Sequence, residues 1–190
     1  MLVLSQSALA HEYRYEVVLS GATEGTPNSS AGTGTAIVDL DMDLITMMVH
    51  VEYSGLSGTV TDAHIYCCNS VAGTGTSGVS NPLPGFHTGV TSGTYDVLVD
   101  LTEAPAYEST FITTEGGMVS DALDGMFFGM LDGKSYLELK TSAFPGGEIR
   151  GFLIGGFIPE SGSETPEPTT LVLTTGTLAA GWLLRRRCNS

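Results

Sequence analysis

The residues best equipped for chemistry lie in one short run, His64-Ile65-Tyr66-Cys67-Cys68, with His87 further along. Thiolate and imidazole donors suit Zn(II) or Cu(I), so His64, Cys67, Cys68 and His87 form a candidate metal set. The same two cysteines have a second outcome. In an oxidising compartment an adjacent pair closes a vicinal disulfide, which encloses almost no chain and adds little through loop entropy. Simple burial and a bridge to another molecule are the remaining outcomes, and the residue types alone leave all of these open.

Two further groupings carry charge at suggestive spacing. Asp39-x-Asp41-x-Asp43 has the look of a calcium loop. An EF-hand loop needs Gly at its sixth position and Glu at its twelfth, and Leu44 and His50 stand there. A hairpin turn between two alternating strands explains the spacing more simply. Glu148 and Arg150, two apart on an expected strand, share one face and read as a structural ion pair or as partners for backbone groups. No Ser-His-Asp arrangement, paired-carboxylate signature, phosphate loop or nucleotide fingerprint occurs in the sequence. The expectation is a protein that is not an enzyme and needs no cofactor.

The elements that must position these residues are short and rich in Gly, Thr, Ser and Val, a composition that favours strands. Glu12 to Ser20 alternates, with Tyr13, Tyr15, Val17 and Leu19 on one face. Residues 35–40 and 44–53 form a hairpin, and 60–68 is a fourth strand that enters a long loop, 69–93. Residues 95–101, 135–141 and 148–154 complete the strands. One helix is expected over 120–131, with Ser120 as N-cap and Leu123, Met126, Phe127 and Met130 as its apolar stripe. The fold class is all-β, an antiparallel Greek-key sandwich or barrel with one short helix.

The two ends differ from this domain. Residues 1–10 (MLVLSQSALA) close on the small-x-small pattern of a residual signal peptide, so the mature chain is expected to begin near His11. The domain is 11–156, and 157–165 is a linker. The tail, 166–190, holds Pro166-Glu167-Pro168, then an uncharged stretch over 169–184, then Arg185-Arg186-Arg187. As a helix that stretch rises about 24 Å, short of the roughly 30 Å hydrocarbon core. Its threonines and glycines weaken it further, so it reads as a temporary anchor with the arginines on the cytoplasmic side. Residues 11–167 hold four basic residues against 21 acidic ones, a formal charge of −17. That charge opposes any phosphate backbone and excludes nucleic-acid binding.

Two resemblances follow from these residues. The ordered tail of Pro166-Glu167-Pro168, apolar span and Arg185-Arg186-Arg187 resembles the PEP-CTERM sorting signal. It implies that an exosortase-type membrane protease of a Gram-negative bacterium cleaves near Pro166–Pro168. The protein is then released from its inner-membrane anchor towards the cell surface or an exopolysaccharide matrix. Within the domain, Gly32-Thr33-Gly34-Thr35-Ala36, Tyr53-Ser54-Gly55-Leu56-Ser57-Gly58, Ala63-His64-Ile65-Tyr66, residues 89–95 and Phe144-Pro145-Gly146-Gly147-Glu148-Ile149-Arg150-Gly151 resemble the CHRD (chordin-type) domain over residues 12–155.

Where many members of that family carry His-x-His, this chain has His64-Ile65-Tyr66, so the second histidine of that pair is lost. A likeness to the sandwich of Cu/Zn superoxide dismutase concerns fold alone, and four histidines in the whole chain are too few for that chemistry. The resemblances imply an exported, non-enzymatic surface or matrix protein whose partners are exopolysaccharide or surface proteins, met through loops such as 69–93. The alternative is an extracellular metal-binding or redox protein centred on His64 and Cys67-Cys68.

Overall fold

The computed structural model describes residues 11–156. Eight strands form one antiparallel sheet: β1 (Glu12–Ser20), β2 (Thr33–Asp41), β3 (Thr46–Ser54), β4 (Val60–Tyr66), β5 (Val79–Pro82), β6 (Gly93–Asp100), β7 (Tyr136–Thr141) and β8 (Ile149–Phe152). Their order across the sheet is β5-β4-β7-β8-β1-β2-β3-β6. β1 and β8 meet at a single residue pair, Ser20 with Arg150. The sheet is curled into a half-barrel, and one core cluster collects side chains from both four-stranded halves.

Of the expected antiparallel Greek-key sandwich or barrel, the structure shows the mostly-β antiparallel class as one curled half-barrel sheet, continuous through the Ser20–Arg150 pair rather than split into two packed sheets. The expected single helix is corrected to two, α1 (Ser109–Glu115) and α2 (Val119–Leu131). In α1 only Phe111 is buried, so its sequence shows no stripe. β5 was hidden inside the long loop because its buried side chains, Ser80 and Asn81, are polar. Residues 166–190, where the hydrophobic sorting helix was expected, lie outside the described residues. Among the described residues no helix is long and apolar enough to cross a membrane.

Alternation built the β1–β2–β3 half as expected. Tyr15, Leu19, Val38, Leu40, Met47, Val49 and Val51 all point inward and are buried. Burial of side chains this size contributes roughly 1.5–3 kcal/mol each. α2 covers part of the core with Ala122, Met126 and Met130, while Leu123 and Phe127 are only partly buried. Its cap residue is Met118 rather than Ser120, and no side chain caps it.

β7 departs from alternation, since five of its six residues are buried. Loops cover its outer face, and the core covers its inner one. That double burial places polar groups where water does not reach them.

Candidate functional site

Register fixes the outer face of the β4–β7–β8 half. His64 pairs with Glu138, and Glu138 with Arg150. One row along, Tyr66 pairs with Tyr136, and Tyr136 with Phe152. Because successive side chains alternate, both rows stand opposite the core-facing Ile65, Leu137 and Ile149. Tyr66 and Tyr136 stack with parallel rings 4.8 Å apart. Tyr66 thus fills with an aromatic contact the position where a second histidine would stand.

Arg150 is 3% exposed, and its guanidinium lies 4.7 Å and 4.9 Å from the ring centres of Tyr136 and Phe152. Its Nη1 donates to the Gly75 carbonyl at 3.0 Å, and its Nε donates to the Thr23 carbonyl. The Nε also lies 3.8 Å from Glu24 Oε2. One side chain thereby fastens two loops, around residues 23 and 75, to strand β8. A buried guanidinium must be paired in this way, because an unpaired buried charge is costly.

Two carboxyls sit beside it. Glu24 is 5% exposed and Glu138 4%. Both pack against Gly147, where a Cβ would lie 2.6 Å from Glu24 Oε2 and 2.9 Å from Glu138 Cδ. With φ at +125°, position 147 requires glycine on both counts. Burial, reinforced by the charge of Glu138 and opposed by Arg150, pushes the Glu24 carboxyl up to about 8. Burial also raises Glu138, against the pull of Lys140 and Arg150. Glu24 therefore keeps its proton at neutral pH. Its Oε1 is buried without a hydrogen-bond partner.

Above the pair opens a cavity of about 620 Å³, walled by the 24–28 loop, Thr76 and the 143–147 turn. Sequence reasoning missed this pair of carboxylates. Glu24 lies in a loop and Glu138 in a strand far along the chain, and the curl of the sheet brings them together.

Glu148 and Arg150 do not bind each other. Glu148, fully buried just before β8, accepts from Ser30 Oγ (2.5 Å), the Ser57 amide (2.6 Å), the Gly58 amide (3.4 Å) and Thr141 Oγ1 (2.5 Å). Burial works against its charge, yet these donors hold its carboxyl below the ordinary range. Of the two expectations for this pair, service to backbone groups and loops is the one the structure displays.

Cys67 and Cys68 are joined in a disulfide. It rests on α2 at Gly125 and Gly129, with Cys68 Sγ 3.4 Å from the Gly125 carbonyl oxygen. A Cβ at position 129 would collide with both sulfurs. The thiolates a metal would need are thus engaged with each other. His64 Nε2 lies 3.1 Å from Asp62 Oδ1, and burial lowers the His64 pKa. His87 is exposed in the segment between β5 and β6. Among the described residues no three His, Cys, Asp or Glu side chains gather as a metal set, so His64, Cys67, Cys68 and His87 are not brought together as one.

The three aspartates of the hairpin are also dispersed. Asp39 pairs with Arg14 at 2.7 Å, Asp41 accepts from the amides of Asp43 and Leu44 within the turn, and Asp43 lies 3.2 Å from His11. Pro166, Glu167, Pro168 and Arg185–Arg187 lie outside the described residues.

Comparison with known families finds the CHRD domain matching residues 15–153, which takes in every strand and helix of the fold apart from the first residues of β1. No curated protein matches the chain, and no solved structure does.

Proposed function

We propose that this chain, which belongs to the CHRD domain family, is an exported binding protein rather than an enzyme. The observation that carries the proposal is the use made of the buried ionisable groups. Arg150 fastens the loops around residues 23 and 75 beside the cavity, and Glu148 ties the Ser30 and Ser57 segments to the chain just before β8; holding loops in place in this way pre-forms a pocket. Such fastening lowers the cost of ordering loops when a partner binds.

The domain is delivered by its tail. An exosortase-type membrane protease recognises Pro166-Glu167-Pro168 and the arginines Arg185-Arg186-Arg187, then cleaves near the former. The freed domain reaches the surface or exopolysaccharide matrix of a Gram-negative bacterium, where exopolysaccharide or surface proteins are its partners. The acidic character of the domain suits that setting, because each of the four basic side chains among the described residues already sits against a carboxylate.

The test is fractionation of cells making either the natural chain or one with Arg185, Arg186 and Arg187 all changed to Ala. The natural chain is expected outside the inner membrane, and the variant is expected to stay in it. Equal distribution of the two forms would end the sorting proposal.

A further inference from the structure

We infer that the cavity between the 24–28 loop and the 143–147 turn binds a neutral, hydroxyl-rich ligand, a saccharide unit, through Glu24 and Glu138 with Phe144 as its stacking face. The inference rests on the reading of the domain as a binding protein and assigns the ligand class of its pocket.

Size comes first. At about 620 Å³ the cavity lies within the roughly 300–1,000 Å³ typical of small-molecule sites.

Charge comes second. The domain as a whole is strongly acidic, but the floor of this cavity is not. The two carboxyls are faced by Arg150, 3.8 Å from Glu24, and by Lys140, 3.9 Å from Glu138. One carboxyl holding a proton leaves the floor with no excess negative charge for a cation to neutralise. An anionic ligand gains little either, since Lys140 faces the Glu138 carboxylate, Arg150 is bonded to the Thr23 and Gly75 carbonyls, and the acidic surface repels it.

Chemistry comes third. A protonated carboxyl both donates and accepts, a carboxylate accepts strongly, and hydroxyl groups match both. Glu24 Oε1 is buried with no hydrogen-bond partner, on a residue that lines the cavity. A buried acceptor of this kind is costly unless something fills it. Beside it stand half-buried Phe144 and exposed Pro27 and Pro145. Flat apolar faces beside hydrogen-bonding groups fit a sugar ring, which carries C–H groups on its faces and hydroxyls at its edge.

The test uses the full chain in detergent micelles, followed by NMR. The probes are two neutral disaccharides (cellobiose and maltose), an anionic uronic-acid disaccharide, calcium chloride and spermidine. A neutral disaccharide is expected to shift the signals of Thr26, Thr76 and Phe144 in a saturable manner. Phe144→Ala is expected to weaken that binding by about fivefold or more. Thr26→Trp, a change at an exposed loop position, is expected to block the mouth and abolish it while the amide spectrum stays folded. Overturning results are a cavity that responds only to calcium, spermidine or the anionic sugar, or one that responds to none of the probes. Binding by the purified chain does not depend on where cells send it. Mis-sorting with intact sugar binding would sink only the function proposed above, and correct sorting without sugar binding would sink only this inference.

Discussion

Replacing Glu24 with Gln should remove a specific slope from the pH dependence of stability. In the folded chain Glu24 holds its proton up to about pH 8, and in the unfolded chain it releases it near 4.5. Between those values folding takes up a proton, so stability falls as the pH rises through the window. Each pH unit that separates the folded from the unfolded pKa corresponds to about 1.36 kcal/mol, and the full separation would reach about 5 kcal/mol. The cavity wets one side of the carboxyl, and Glu138 shares the proton, which together reduce the expected loss to about 2–4 kcal/mol. Glutamine is neutral at every pH and close to isosteric with the acid. Glu24→Gln should therefore match the natural chain below about pH 4.5 and exceed it by about 2–4 kcal/mol at pH 8.5, or about 6–12 °C in Tm for a domain of this length. Urea and thermal unfolding followed by far-ultraviolet circular dichroism at several pH values would read both quantities. Parallel pH profiles for the two proteins would refute the account of the buried pair.

Two further substitutions probe the other fastenings. Gly129→Ala drives a methyl group into both sulfurs of the Cys67–Cys68 disulfide and should cost about 1–3 kcal/mol, as overpacking does; changing both cysteines to Ala in the same chain should recover part of that loss, a coupling that denaturant unfolding of the four variants would show. Glu148→Gln exchanges a carboxylate bonded to Ser30, Ser57, Gly58 and Thr141 for an amide that is a poorer acceptor, and should cost about 2–4 kcal/mol at neutral pH. The folded carboxyl of Glu148 is held below the ordinary range, so its contribution is full above the unfolded value and disappears as the pH falls through the folded one. The variant should lose that part of the acid limb, and an unchanged limb below about pH 4 would count against the assignment.

Local pattern carried the β1–β2–β3 half. Its strands have one face inward and one outward, and the alternation of Tyr13 to Leu19 survives intact in the fold. Helix α2 was legible for the same reason, through Met126 and Met130 at helical spacing. The β4–β7–β8 half was harder to read, because β7 is covered on both faces and β5 buries Ser80 and Asn81, so hydrophobic pattern no longer reports burial.

The candidate site was legible only in pieces. Glu24 looks like an ordinary loop acid, and only the join of Ser20 with Arg150 carries its loop over Glu138. Glu148 and Arg150 were recognisable as a pair on one stretch of chain, but their partners are distant loops that no spacing rule reaches. The cysteines were visible as an adjacent pair. Their seat on Gly125 and Gly129 was not, since two glycines on a helix look the same whether or not something packs against them.

The most direct test of the central claim is the intact mass of the protein recovered from outside the inner membrane, taken under native and then denaturing conditions. An exported and processed binding domain predicts a chain ending near Pro166–Pro168, without Arg185–Arg187, two hydrogens lighter than the reduced form and carrying no metal adduct. A chain that retains its terminal arginines and is found only in the inner membrane would contradict the account.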